Sequence, residues 1–258
     1  MARPDLVWRI NRRPRFSVLE MGEYMAADDR PRETIVRNMK YERLGGSLSY
    51  RRVSQSVAAF LASPTRDRKI LEACREAISF DAQNASSNQA RLNAGHELAA
   101  LSVFERALNS LDLRGVNFER VNRFAYLEIE GVRVSVRPTA RIRIKRQRGC
   151  DLVGAVVIDF AKGSEIKTEL AMARIVTALE HTSMLIHQSV SDNCSPEDRA
   201  STENCYVFHV FRQQTVRCPE SYKRQLGNVE AVCRTIAGQW ASIPPPPGFD
   251  ESKAQYRN

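Results

Sequence analysis

The sequence predicts an α+β protein: a mixed β-sheet flanked by helices, with an N-terminal helical layer in front of it. Three observations carry that expectation. Apolar residues recur at helical spacing from residue 17 to about residue 80. Between residues 124 and 160 the pattern changes to alternation and then to a nearly continuous apolar run. A long amphipathic segment, a further apolar strand and a last helix follow, an order that places helices on sheet faces.

At 258 residues the chain can bury a substantial core, as one large domain or one domain with a helical attachment. The predicted units are a basic arm with a helical region over 1–82, an α/β core over 83–243, and a Pro-rich stop with a loose tail over 244–258. Within the first unit, Ser17 is placed to cap a short helix carrying Val18, Leu19, Met21 and Tyr24. Pro31 sits in the first turn of a second helix, which Gly45 and Gly46 are expected to end. Val53, Val57, Phe60 and Leu61 mark a third helix, and Ser63 with Pro64 starts a fourth.

The polar stretch DAQNASSNQA is the next boundary, and residues 91–108 form a strong helix with Leu98, Leu101 and Phe104 near one face. Residues 124–129 read as a strand, Glu130 and Gly131 as its turn, and 132–145 as an antiparallel partner. LVGAVVIDF has the composition of a strand covered on both faces, at the centre of the sheet. A long helix follows, then a loop over SDNCSPEDRASTEN, a strand over CYVFHVFRQQTVRC, and a helix that stops at the prolines from 244 to 247.

The net charge is +9, and it is concentrated. Seven cations and no acid lie between Gly131 and Gly149: Arg133, Arg137, Arg141, Arg143, Lys145, Arg146 and Arg148. The first sixteen residues carry five arginines, Arg12 and Arg13 among them, against Asp5. By parity, Arg133, Arg137, Arg141, Arg143 and Lys145 share one face of the expected strand while valines and isoleucines hold the other. Alternate residues on a strand repeat at roughly the spacing of phosphates along one nucleic-acid strand. A polyanion partner, nucleic acid first, is therefore predicted. The competing explanation is a solvated sheet face whose cations discourage edge pairing.

No apolar run approaches the roughly 18 residues of a membrane helix, and the cationic start lacks the apolar segment of a secretory signal, so a cytoplasmic protein without a membrane partner is expected. Six cysteines at long, irregular spacings predict free thiols. Phosphate-binding GxxxxGK[ST], dinucleotide-binding GxGxxG, zinc-protease HExxH and nucleophile-elbow GxSxG patterns do not occur.

The helix–strand–strand–strand–helix–strand order over residues 91–240, with VRPTARIRI and VGAVVIDFAKG on its strands, resembles the restriction-endonuclease-like, or PD-(D/E)XK, nuclease fold. In that family an aspartate after the proline, and an acid two residues before a lysine, bind a divalent metal and help activate the attacking water. Here Pro138 is followed by Thr139, and Asp159 stands three residues before Lys162. The resemblance implies Asp159 and Lys162 as the catalytic pair. If the site is active, Asp159 and Glu97 would be its Mg²⁺ or Mn²⁺ ligands, with Glu128, Glu130 and Glu169 as supplementary acids. With the first ligand replaced, the expectation is a nucleic-acid-binding accessory subunit on a degenerate nuclease scaffold that needs no cofactor. It would work with a protein partner in a nucleic-acid-processing or antiviral defence complex. An active metal-dependent nuclease and a protein-interaction subunit with a basic face are the alternatives.

Overall fold

The computed structural model of the chain describes residues 7–44, 50–108, 111, 116–121, 126–161 and 168–257. The chain enters through β1 (Trp8–Asn11) and β2 (Arg15–Ser17), and Ser17 then caps α1 (Val18–Ala26). The cap is reciprocal: the Glu20 amide donates to Ser17 Oγ, and the Ser17 amide donates to the Glu20 carboxylate. α2 (Asp29–Lys40), with Pro31 in its first turn, runs into β3 (Tyr41–Arg43). α3 (Arg51–Ala62), α4 (Lys69–Gln83) and α5 (Asn88–Ala107) follow, α5 capped by Ser87.

Next come β4 (Asn117–Glu119) and the hairpin of β5 (Leu127–Ile129) with β6 (Val132–Ser135). Its turn is Glu130–Gly131, both at positive φ, as a two-residue hairpin needs. β7 (Ala140–Ile144) and β8 (Asp151–Asp159) form a second antiparallel pair, and α6 (Glu169–Asn193) crosses to β9 (Asp198–His209), parallel to β8. β10 (Gln214–Arg217), α7 (Lys223–Gln239) and β11 (Ala254–Arg257) complete the described chain.

The main sheet has the order β10-β9-β8-β7-β4. Along the middle strand, β8, consecutive side chains serve opposite cores. Val153, Ala155 and Val157 join α1, α6 and α7 on one face, while Val156 and Ile158 join α3, α4 and α5 on the other. This is why its sequence is apolar almost without interruption. Two three-stranded sheets, β11-β1-β3 and β2-β6-β5, flank the first face. Gly22 lets α1 approach α6 closely: a Cβ there would lie 2.2 Å from Thr182 Oγ1 and 2.4 Å from the Ala178 carbonyl. Thr182 Oγ1 donates to the carbonyls of Val18 and Ala178, tying the two helices together.

Several expectations are corrected. The single cationic strand is two strands in two sheets, because Pro138 has no N–H for a ladder and the backbone passes from the β2-β6-β5 sheet to the main sheet around it. The described part of the basic arm, from residue 7 onward, is built into the fold: Trp8 and Ile10 are buried in β1, and β2 pairs with β6. The tail is not loose either, since β11 pairs in parallel with β1. The N-terminal helices are not one layer, for α1 and α2 pack with α6 while α3 and α4 pack with α5. Half of the loop expected over 191–204 is the polar start of β9, held in register by β8, and the strand expected over 205–218 bends at Val210–Arg212 into the β9-β10 hairpin. Gly45, Gly46 and Lys162 lie outside the described residues.

Candidate nucleic-acid interface

The predicted cations fall into separate environments. Arg141 and Arg143 point from β7 toward the N-terminal ends of β8 and β9, where they meet Asp198, whose side chain has no exposed surface. Arg143 binds it through both terminal nitrogens, at 2.6 and 2.8 Å, and reaches Asp151 and Glu119 at 3.2 Å each. Arg141 adds a bond at 3.2 Å and Ser195 Oγ another at 2.9 Å. The Arg143 hydrogen bonds hold the Asp198 carboxyl below its ordinary pKa, and the same pairing raises that of Arg143. Arg133 is paired across its hairpin with Glu128 at 2.7 Å. These three arginines are largely neutralised within the fold.

Lys145, Arg146 and Arg148 are exposed on the turn between β7 and β8, and Arg12 and Arg13 on the turn between β1 and β2. Arg12 also lies over the Tyr256 ring, 4.9 Å from its centroid. Arg137 is different. It is exposed on the β6–β7 connection and lines a cleft of about 340 Å³ against Val157 and the start of α1. Two further cations enter this cleft from distant parts of the sequence, Arg15 on β2 and Arg257 on β11.

The cleft also contains Glu20 and Glu42, but both carboxylates are committed. Glu20 closes the α1 cap, and Glu42 pairs with Arg257 and Arg9 at 3.2 Å each. Asn11 holds Arg257 in place, accepting from its Nε at 2.7 Å. Burial, then the proximity of Arg15, lowers the Arg257 pKa. Among the described residues, neither Arg15 nor Arg137 has a carboxylate within ion-pairing distance.

At the C-terminal ends of β8 and β9, two residues beyond Val157 of the cleft lining, Asp159 stands in register with His209. Its carboxylate accepts from the Ala161 amide at 2.8 Å and lies 3.8 Å from His209 Nε2. Burial depresses the His209 pKa against the opposing pull of Asp159, and among the described residues its Nδ1 is buried without a hydrogen-bond partner. Glu23, about one turn beyond Glu20 on α1, is exposed. Desolvation first, and the Asp159 charge second, raise its pKa. Thr139, in the position after the proline, is buried, and its hydroxyl accepts from the Ile158 amide at 2.9 Å.

Glu97, the expected second metal ligand, belongs elsewhere. It sits on α5, on the opposite face of the sheet from Asp159, and is bound by Arg52 at 2.6 Å, which also pairs with Asp81. The supplementary acids are likewise engaged or remote: Glu128 with Arg133, Glu130 with Arg234, and Glu169 in the first turn of α6. Among the described residues, no three His, Cys, Asp or Glu side chains converge to hold a metal ion. An Asp159–Glu97 pair therefore does not fit the expected Mg²⁺ or Mn²⁺ site.

All six cysteines are free, as expected, and burial pushes the thiols of Cys205, Cys218 and Cys233 up to about 12, which makes them unreactive core residues. No described helix is long and apolar enough to cross a membrane. No family model matches the chain, and no curated protein matches it significantly.

Sequence reading missed Arg15, Arg257, Glu23 and the placement of His209. Arg15 had a signal only in its place in the arginine-rich start, two residues before the Ser17 cap. Arg257 had none, because its position depends on β11 pairing with a strand near the other end of the chain.

Proposed function

We propose that the chain binds nucleic acid through the Arg15–Arg137–Arg257 cleft, on a nuclease-like scaffold whose catalytic site is degenerate. It would act as an accessory subunit of a nucleic-acid-processing or antiviral defence complex. The observation that carries the reading is Arg137, an arginine that has no carboxylate within ion-pairing distance among the described residues and lines a cleft at the end of the central strand. An uncompensated guanidinium in a concave site is a good ligand for a phosphate oxygen. Arg15 gives a second point of attachment, and the exposed turns carrying Arg12, Arg13, Lys145, Arg146 and Arg148 add positive field beyond it.

The scaffold half of the proposal is supported by element order. α5, β4, β7, β8, α6 and β9 follow one another in the main sheet and its covering helices, which is the α-β-β-β-α-β order of the restriction-endonuclease-like fold. The β5-β6 hairpin lies in a separate sheet between β4 and β7 in the sequence. The degenerate half is supported by the buried Thr139, whose hydroxyl is used by the backbone, and by the buried Phe160, which stands two residues before Lys162 where the motif has its acid. One observation favours hydrolysis as the second reading: the Asp159 charge adds to burial in raising the Glu23 pKa, which puts two carboxylates in the same region near the end of β8.

The test titrates labelled single- and double-stranded DNA and RNA with the wild-type chain and with Arg137→Glu, across a salt series, with and without Mn²⁺. The expected result is salt-sensitive binding, with a log–log salt slope smaller by about one in the variant, and no cleavage products. Metal-dependent products lost in Asp159→Ala would establish the nuclease alternative. Absent binding, or binding indifferent to Arg137, would sink the cleft reading and favour a protein partner for the basic face.

A further inference from the structure

Tyr126 lies just before the β5-β6 hairpin and is 40% exposed, one of three exposed aromatic residues of the described chain with Phe80 and Tyr256. Its ring is flanked by arginines: the Arg133 guanidinium lies 5.0 Å and that of Arg15 5.8 Å from its centroid. Arg15 lines the cleft, and Arg257, another lining residue, is close enough to Tyr126 to feel its charge when ionised. The ring therefore stands at the rim of the cleft, next to the groups proposed to hold phosphates.

We infer that the cleft takes a single strand of nucleic acid, with phosphates on Arg15 and Arg137 and an unpaired base stacked on Tyr126. This inference rests on the phosphate-cleft reading and specifies its ligand. An exposed aromatic ring beside backbone-binding cations is how single strands are held without sequence preference, because every base has a π-face and only an unpaired base can present it. A duplex keeps its base faces stacked inside and offers Tyr126 nothing but its backbone. The arginines that flank the ring keep a base placed there within reach of their cation–π attraction. Arg133, neutralised by Glu128, serves the ring more than a phosphate. The stack reads no sequence, so DNA and RNA are both accommodated by this chemistry and separate arms of the experiment compare them.

The experiment measures fluorescence anisotropy of a labelled single strand, as DNA and as RNA, and of the corresponding blunt duplex. Wild type is compared with Tyr126→Ala, Tyr126→Phe and Arg137→Glu, each checked for an unchanged melting curve. Tyr126→Ala is expected to weaken single-strand binding about tenfold, within the range of one lost base–aromatic stack, and to leave duplex binding within about twofold. Tyr126→Phe is expected to retain wild-type affinity, since the ring and not the hydroxyl is used. Equal losses on strand and duplex, or no loss in Tyr126→Ala while Arg137→Glu still weakens binding, would overturn the inference and leave the phosphate cleft standing. If wild type binds neither form, or Arg137→Glu changes nothing, the cleft reading fails and this inference with it.

Discussion

At the N-terminal ends of β8 and β9, Arg141 and Arg143 close around Asp198, with Asp151, Glu119 and Ser195 completing the set. At the C-terminal ends of the same two strands, Arg137 lines an open cleft whose acids, Glu20 and Glu42, are committed elsewhere, and among the described residues no carboxylate lies within ion-pairing distance of it. The three arginines lie within seven consecutive residues, on what reads as one face of one strand. At one end of the sheet the cations organise structure, and at the other they remain available. A count of positive charges along a sequence therefore overstates the charge a partner can meet, by the number that the fold has already paired.

The largest expected effect breaks the closed end. Asp198→Ala removes the shared acceptor and leaves Arg141 and Arg143, which keep only about a quarter of their side-chain surface exposed, without their main partner. A loss of about 2 kcal/mol in chemical denaturation is expected, between the values for exposed and fully buried pairs. The acid limb of the stability profile sharpens the same point. Because the folded Asp198 carboxyl titrates below its unfolded value, its contribution is fully present above the unfolded pKa of about 3.9 and is lost as pH falls through the lower folded value. Asp198→Asn should flatten that limb; an unchanged acid profile would show that the cluster does not stabilise the fold.

Next in size is the exchange of the two ends. Arg137→Glu is expected to lower nucleic-acid affinity about tenfold at moderate salt with no change in melting temperature, while Arg141→Glu should lower stability. The reverse pattern in a paired anisotropy and melting assay would invalidate the division. Ser195→Ala tests one bond of the closed cluster, and a loss of about 1 kcal/mol in denaturation is expected. Arg148→Ser, on the exposed turn, should change stability by less than about 0.5 kcal/mol, and a larger change would mean that the turn has structural contacts of its own.

His187 is the counterpart on the apolar side. It accepts or donates a 2.8 Å hydrogen bond with Tyr222, and burial lowers its pKa. The unfolded chain therefore takes up that proton first, and stability falls as pH drops below about 6.5.

Much of the fold was legible locally. Ser17 announced a helix start, Glu130–Gly131 a hairpin, and the nearly continuous apolar run LVGAVVIDF a central strand. Short strands were not legible: Trp8–Asn11, Asn117–Glu119 and Ala254–Arg257 have three or four residues each, too few for a period to register against the background. The site was partly legible. Arg137 was identified from the sequence and lines the cleft, and Asp159 follows two residues after Val157 of its lining, whereas Glu97 lies on the opposite face of the sheet and Tyr126 was passed over.

By itself the sequence determined which segments would be helical, which strand would be central, and that cations would cluster near residue 140. These follow from side-chain periodicity and turn chemistry, which act over a few residues. Only the tertiary structure decided which cations were paired and which were left. That choice depends on Asp198 meeting Arg143 across 55 positions and on Arg257 arriving beside Asn11 across 246. Electrostatic partners are selected by distance in space after the sheets have formed, and no local pattern encodes that distance.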